Sequence, residues 1–118
     1  MNDRSLKTTV YRNERGCIVS DKGCTSIQLE FGNLFLRFDY QGLEGFKESI
    51  DKINIEKFTL GNKNKPYHRK IFLALEPAGI TMALHAEEVY QLRDLLESAK
   101  TILLLKKLST EALALPLN

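Results

Sequence analysis

The chain has 118 residues, 43% of them hydrophobic and 27% charged, with a net charge of +2. That length holds one domain with a real core and is short for two, and the ordinary composition excludes a disordered chain. So small a positive charge makes no case for nucleic acid by itself, and no apolar run approaches the roughly 20 residues that cross a bilayer.

Residues 1–24 read as a polar N-terminal segment with one short strand. The opening stretch MNDRSLKTTVYRNERG lacks the continuous apolar core of a secretory signal. With only two cysteines, the expected setting is the cytoplasm with reduced thiols. Ser20-Asp21-Lys22-Gly23 has turn chemistry, so residues 8–19 are expected to fold back on a strand that starts near Cys24.

Residues 25–54 form a first strand–strand–helix unit. Ile27, Leu29 and Phe31 alternate with Gln28 and Glu30, the period of a half-buried strand. Gly32-Asn33 supplies the turn, although the favoured order for a two-residue hairpin is Asn-Gly. Alternation resumes over residues 34–38, and Asp39 stands where a helix N-cap belongs. Leu43, Phe46, Ile50 and Ile53 then follow one face of a helix. Gly42 and Gly45 each cost that helix about 1 kcal/mol relative to Ala, which suggests a packing role. Residues 55–66 read as a connection whose Ile55, Phe58 and Leu60 dock on the core.

Residues 67–108 repeat the unit. Ile71, Leu73 and Leu75 correspond to the first strand, a turn falls at Glu76-Pro77-Ala78-Gly79, and Ile80, Met82 and Leu84 follow. His85 occupies the place of Asp39, and Val89, Leu92, Leu96, Ala99 and Leu103 make a helical stripe. Beyond Lys100 apolar residues surround the axis, which predicts burial on every side. Residues 109–118 form an apolar tail containing Leu113, Leu115 and Leu117. The expected fold is α+β: an antiparallel sheet of at least four strands with two helices on one face, built from a repeated strand–strand–helix unit.

No phosphate-binding glycine loop, paired-histidine zinc helix or nucleophile elbow is present. Cys17 and Cys24, with His68 and His85 far off, lack the paired spacing of a zinc site. No catalytic, cofactor-binding or metal-binding residue is therefore assigned. The charged residues Glu87, Glu88, Arg93, Asp94, Glu97 and Lys100 read as a solvated helix face with a Glu97–Lys100 pair.

The outer face of the sheet is less charged than a solvated face should be. Phe35, Arg37, His68, Lys70 and Phe72 form a candidate binding face there, unless the first 20 residues cover it. Ile102, Leu104, Leu105, Leu108 and Leu113 form a candidate self-association surface.

The stretches CTSIQLEFGNLFLRF and PYHRKIFLAL, followed by a helix of EEVYQLRDLL type, resemble a small uncharacterised bacterial domain family of unknown function across roughly residues 17–97. The resemblance implies a small intracellular bacterial protein and brings no catalytic residues with it. Such a family would carry tighter cysteine spacing than Cys17 and Cys24 show.

The sequence thus points first to a non-enzymatic interaction or scaffold domain that self-associates as a homodimer, with no membrane partner. A nucleic-acid-binding module using the outer sheet face is the alternative. A small-molecule enzyme comes third and would need Cys24, His85 and a carboxylate brought together.

Overall fold

The computed structural model describes residues 7–76 and 79–114, with the side chains of residues 110–114 outside the description. Among the described residues nine elements follow one another: β1 (Thr8–Arg12), β2 (Gly16–Ser20), β3 (Ile27–Phe31), β4 (Leu34–Phe38), α1 (Tyr40–Asp51), α2 (Ile55–Gly61), β5 (Ile71–Leu75), β6 (Ile80–Leu84) and α3 (Ala86–Ala114). The fold is α+β. Strands β1 to β4 make an antiparallel meander in chain order, and β5 with β6 makes a separate two-stranded sheet.

The N-terminal segment departs from expectation. Residues 8–19 are not one strand but a hairpin, whose second strand folds back on the next one, β3, as expected. Asn13 turns the hairpin, its side-chain oxygen accepting the N–H groups of Arg15 and Gly16 at 3.0 and 3.2 Å. Gly16 then lies so close to β3 that a Cβ would stand 2.0 Å from the Glu30 carbonyl oxygen. Only glycine permits that approach. β2 pairs with β3 along all five residues, so residues 8–20 extend the sheet edgewise and do not lie over its outer face, while residues 1–6 fall outside the described residues.

The loop between β2 and β3 is organised by Asp21. Its carboxylate accepts the Thr25 hydroxyl at 2.6 Å and the N–H groups of Thr25 and Ser26 at 2.8 and 3.1 Å. These bonds, the Thr25 hydroxyl foremost, hold its pKa below the ordinary value. The β3–β4 turn uses Gly-Asn in the order written: Gly32 takes φ +58°, which suits a two-residue turn with glycine first.

Asp39 caps α1 by accepting the Gly42 N–H at 2.7 Å. Leu43, Phe46 and Ile50 face inward as their spacing requires. A Cβ at Gly45 would meet nothing within 4 Å, so no close packing there requires glycine. The connection contains a helix that the sequence reading missed, α2, capped by Asn54 accepting the Lys57 N–H at 3.0 Å. Ile55 and Phe58 pack against the core, but Leu60 is exposed. It lies about 200° around the axis from Phe58.

Two strands are followed by a helix in both places, with Leu43 N–H bonded to the Asp39 carbonyl and Val89 N–H to that of His85, but that order alone does not make the two units a repeat. The surroundings differ. β3 and β4 lie within the four-stranded sheet, whereas β5 and β6 pair only with each other among the described residues. Pro77 and Ala78 of the expected turn, and residues 115–118 of the expected tail, lie outside the described residues.

One core joins the two sheets. α1 packs on β4 and α3, and α3 packs on β1 and β2. Ile18, Ile27, Leu29, Leu43, Ile50, Leu92 and Leu96 are fully enclosed, and Ile71, Met82 and Leu84 of the second hairpin enter the same cluster.

Candidate functional site

On the outer face of the four-stranded sheet, Phe35 is 58% exposed and Arg37 stands beside it on the same side of β4. Register sets Glu30 across from Phe35 and Gln28 across from Arg37. Cys17 sits opposite Glu30 on β2, its thiol 3.9 Å from that carboxylate. An exposed aromatic ring therefore has a cation on one side and an anion on the other.

The remaining candidates for this face lie elsewhere. His68 and Lys70 precede β5, and Phe72 lies on it, in the two-stranded sheet. Lys70 donates to the Lys65 carbonyl at 2.6 Å. Phe72 is half-buried with Tyr67 edge-on at 5.4 Å, and His68 meets His85 edge-on at 5.1 Å. The five residues are divided between two sheets.

Of the charged residues of α3, Glu87, Asp94 and Glu97 are exposed as a solvated face requires, but Glu88 is buried and most of the set reach partners on other elements. Glu88, only 8% exposed, accepts the His85 N–H at 2.8 Å and the Arg69 guanidinium at 2.8 and 3.3 Å. Burial pushes its carboxyl up, but Arg69 and the His85 N–H outweigh that and hold its pKa below the ordinary 4.5. The signal in the sequence was a glutamate three residues after the helix cap, the reciprocal half of a capping box. Arg93 donates to the carbonyls of Ile50 and Ile53, at 3.3 and 2.8 Å, and so closes the C-terminal end of α1.

The expected Glu97–Lys100 pair is replaced by contacts with α1: Glu97 meets Lys47 at 2.7 Å and Lys100 meets Glu44 at 3.3 Å. Asp94 accepts from the Tyr11 hydroxyl and the Asn13 amide, each at 3.0 Å at closest approach, and Arg15 donates to the Gln91 side chain at 2.9 Å. This anchoring of the first hairpin went unread because its partners are more than 75 positions apart.

Leu103 is the last buried residue of α3 among those described. Beyond it the helix continues, and Leu104, Leu105 and Leu108 are 42%, 62% and 52% exposed. Ile102 is half-buried, and the Leu113 side chain lies outside the described residues. At about 100° per residue the three leucines share roughly 100° of arc, on the side away from Leu96, Ala99 and Leu103. The helix thus carries two apolar stripes on opposite faces. Burial on every side, expected for this segment, is not what the single chain provides: the second stripe turns away from its own domain.

The residues considered for chemistry are scattered. Cys24, at φ +58°, lines a small hollow with Tyr40, Leu103 and Lys107, and both cysteines are free thiols. His85 lies at the opposite end of α3's buried stretch, 18 residues from Leu103 and so about 27 Å along the axis. The grouping of Cys24, His85 and a carboxylate that an enzyme would need is not assembled. Among the described residues no three His, Cys, Asp or Glu side chains gather as a metal site would require. Nor does any helix among them have the length and apolarity to cross a membrane.

No curated protein and no solved structure matches the chain. Residues 1–116 match a family model, and the chain belongs to that family, a family of unknown function (DUF6686).

Proposed function

We propose that this protein is a non-enzymatic interaction domain that self-associates through the C-terminal part of α3, working in the cytoplasm. The observation that carries the reading is the second stripe of Leu104, Leu105 and Leu108, set opposite the stripe that serves the core. Lys106 and Lys107 fall on other sides of the helix, so no charge interrupts the stripe between Leu104 and Leu108. An uncharged stripe is compatible with an equal one from a second copy across a twofold axis. Covering the exposed parts of the three leucines contributes on the order of 2–5 kcal/mol per protomer. The free thiols and the lack of a membrane-crossing helix among the described residues are compatible with the cytoplasmic setting.

Sedimentation at micromolar concentration tests the reading. The wild-type protein should be an oligomer, and Leu104→Lys/Leu108→Lys should halve its mass while the circular dichroism stays unchanged. An unchanged mass, a monomeric wild type or an unfolded variant overturns the assignment.

A second reading, a nucleic-acid-binding module, draws on exposed Phe35 beside Arg37. It is the weaker one, because Glu30 lies across from Phe35 and the other candidates sit on a different sheet. Titration with single-stranded RNA and DNA at two salt concentrations decides it: phosphate contacts weaken steeply with salt, and no binding at low salt removes the reading.

A further inference from the structure

The four-stranded sheet guards both of its edges. β1 carries Arg12 and a register shift between Thr9 and Tyr11, and β4 carries Arg37 and has α1 packed against it. Charges, bulges and covering helices are the devices that keep a strand edge from pairing with another chain. In the second sheet α2 lies against β5, and Asn62 takes up the Lys70 carbonyl at 2.7 Å. β6 has none of these. Its sequence Ile80-Thr81-Met82-Ala83-Leu84 contains no charge and no proline. Among the described residues it pairs with β5 alone.

The free side of β6 is also accessible. A cleft of about 450 Å³ runs beside it, bounded by all five of its residues and by the β3–β4 turn. Two arginines stand in the cleft wall, Arg69 paired with Glu88 and Arg15 held by the Gln91 side chain at 2.9 Å. Ile80 is 55% exposed, whereas Met82 and Leu84 on the same side of the strand are buried. One large apolar side chain therefore lacks a neighbour at the open end of an otherwise covered row.

We infer that β6 pairs antiparallel with β6 of a second copy of this chain about a twofold axis at Met82. The strand reads large, small, large, small, large, and so is symmetric about its centre. A twofold pairing demands that symmetry, since each position must match its mirror position. It sets Ile80 of one copy beside Leu84 of the other, which covers the exposed isoleucine, and Thr81 beside Ala83. With no charge on the strand, no like-charge pair opposes the contact. This surface is separate from the α3 stripe and stands or falls independently of it. Two twofold contacts on one chain carry assembly past the dimer.

The test places charges at Thr81 and Ala83, which are exposed, so that the fold is retained. In Thr81→Lys/Ala83→Lys every introduced lysine faces a lysine across the axis, and in Thr81→Glu/Ala83→Glu a glutamate faces a glutamate. Sedimentation should show each variant at half the mass of the parent, and an equimolar mixture of the two should restore the parent mass. The same pair is then made in the Leu104→Lys/Leu108→Lys background, where the protein should be a dimer before the β6 changes and a monomer after them. If Leu104→Lys/Leu108→Lys is already monomeric, β6 pairing is overturned and the α3 surface stands alone. If it leaves the mass unchanged while the β6 lysines reduce it, the α3 surface is overturned and β6 stands. A mass unaffected by the β6 lysines, or Lys and Glu variants that do not recombine, overturns the pairing whatever other chain the edge accepts.

Discussion

Replacing Glu88 by Gln isolates the charge at the start of α3. Glu88 is 8% exposed, and its carboxylate serves the His85 N–H and the Arg69 guanidinium at once. Glutamine keeps an oxygen for the His85 N–H and loses the charge. Charge-assisted hydrogen bonds contribute more than neutral ones, and the difference predicts a loss of about 1–2 kcal/mol at pH 7. Glu88→Ala should cost about 1 kcal/mol more, because it also removes the acceptor that caps His85. The pH dependence follows from the direction of the shift. The folded pKa of Glu88 is held below the ordinary 4.5, so its stabilising charge is whole above that value and is lost as pH falls through the lower folded one. Urea unfolding of parent and Glu88→Gln at pH 7 and pH 3 measures both quantities. The gap should be open at pH 7 and narrow at pH 3. A Gln variant as stable as the parent at pH 7, or a gap of equal size at both, refutes the reasoning.

Gly16→Ala drives a Cβ to 2.0 Å from the Glu30 carbonyl, which backbone on both strands must move to relieve, and it should lower unfolding free energy by about 2–4 kcal/mol in urea titration. Gly45→Ala enters open space on α1 and should instead stabilise by about 1 kcal/mol, read as a rise of several degrees in Tm. Arg93→Met leaves the Ile53 carbonyl without its side-chain donor, while the Ile50 carbonyl keeps the Ile53 N–H, and should cost about 1–3 kcal/mol. Arg93→Lys should recover part of it in the same titration, because one nitrogen, Nη2, reaches both carbonyls and an ammonium can stand in for it, whereas the Nε bond to Ile50 is lost.

Local pattern carried the sequence reading wherever structure was local. The β3–β4 hairpin, the Asp39 cap, the inward face of α1 and the stripe of α3 through Leu103 were legible because their periods and caps act within a few residues of chain. The seven-residue α2 was missed for the same reason: two turns are too short for a period to show, and only Asn54 announced it. The first hairpin was half visible, since Asn13 and Gly16 are turn residues but nothing local says that Gly16 touches Glu30.

The sequence by itself determined which segments alternate, which spiral and which turn, and through them an α+β protein of one core. Only the tertiary structure decided that the second hairpin stands as its own sheet, and that Glu88 is buried against Arg69 while Glu97 reaches Lys47. It alone decided that Leu104, Leu105 and Leu108 face away from the core stripe, and that β6 pairs with β5 alone among the described residues. The physical reason is range. Backbone periodicity is written in neighbouring residues, whereas burial, charge partners and free edges depend on which distant surfaces meet.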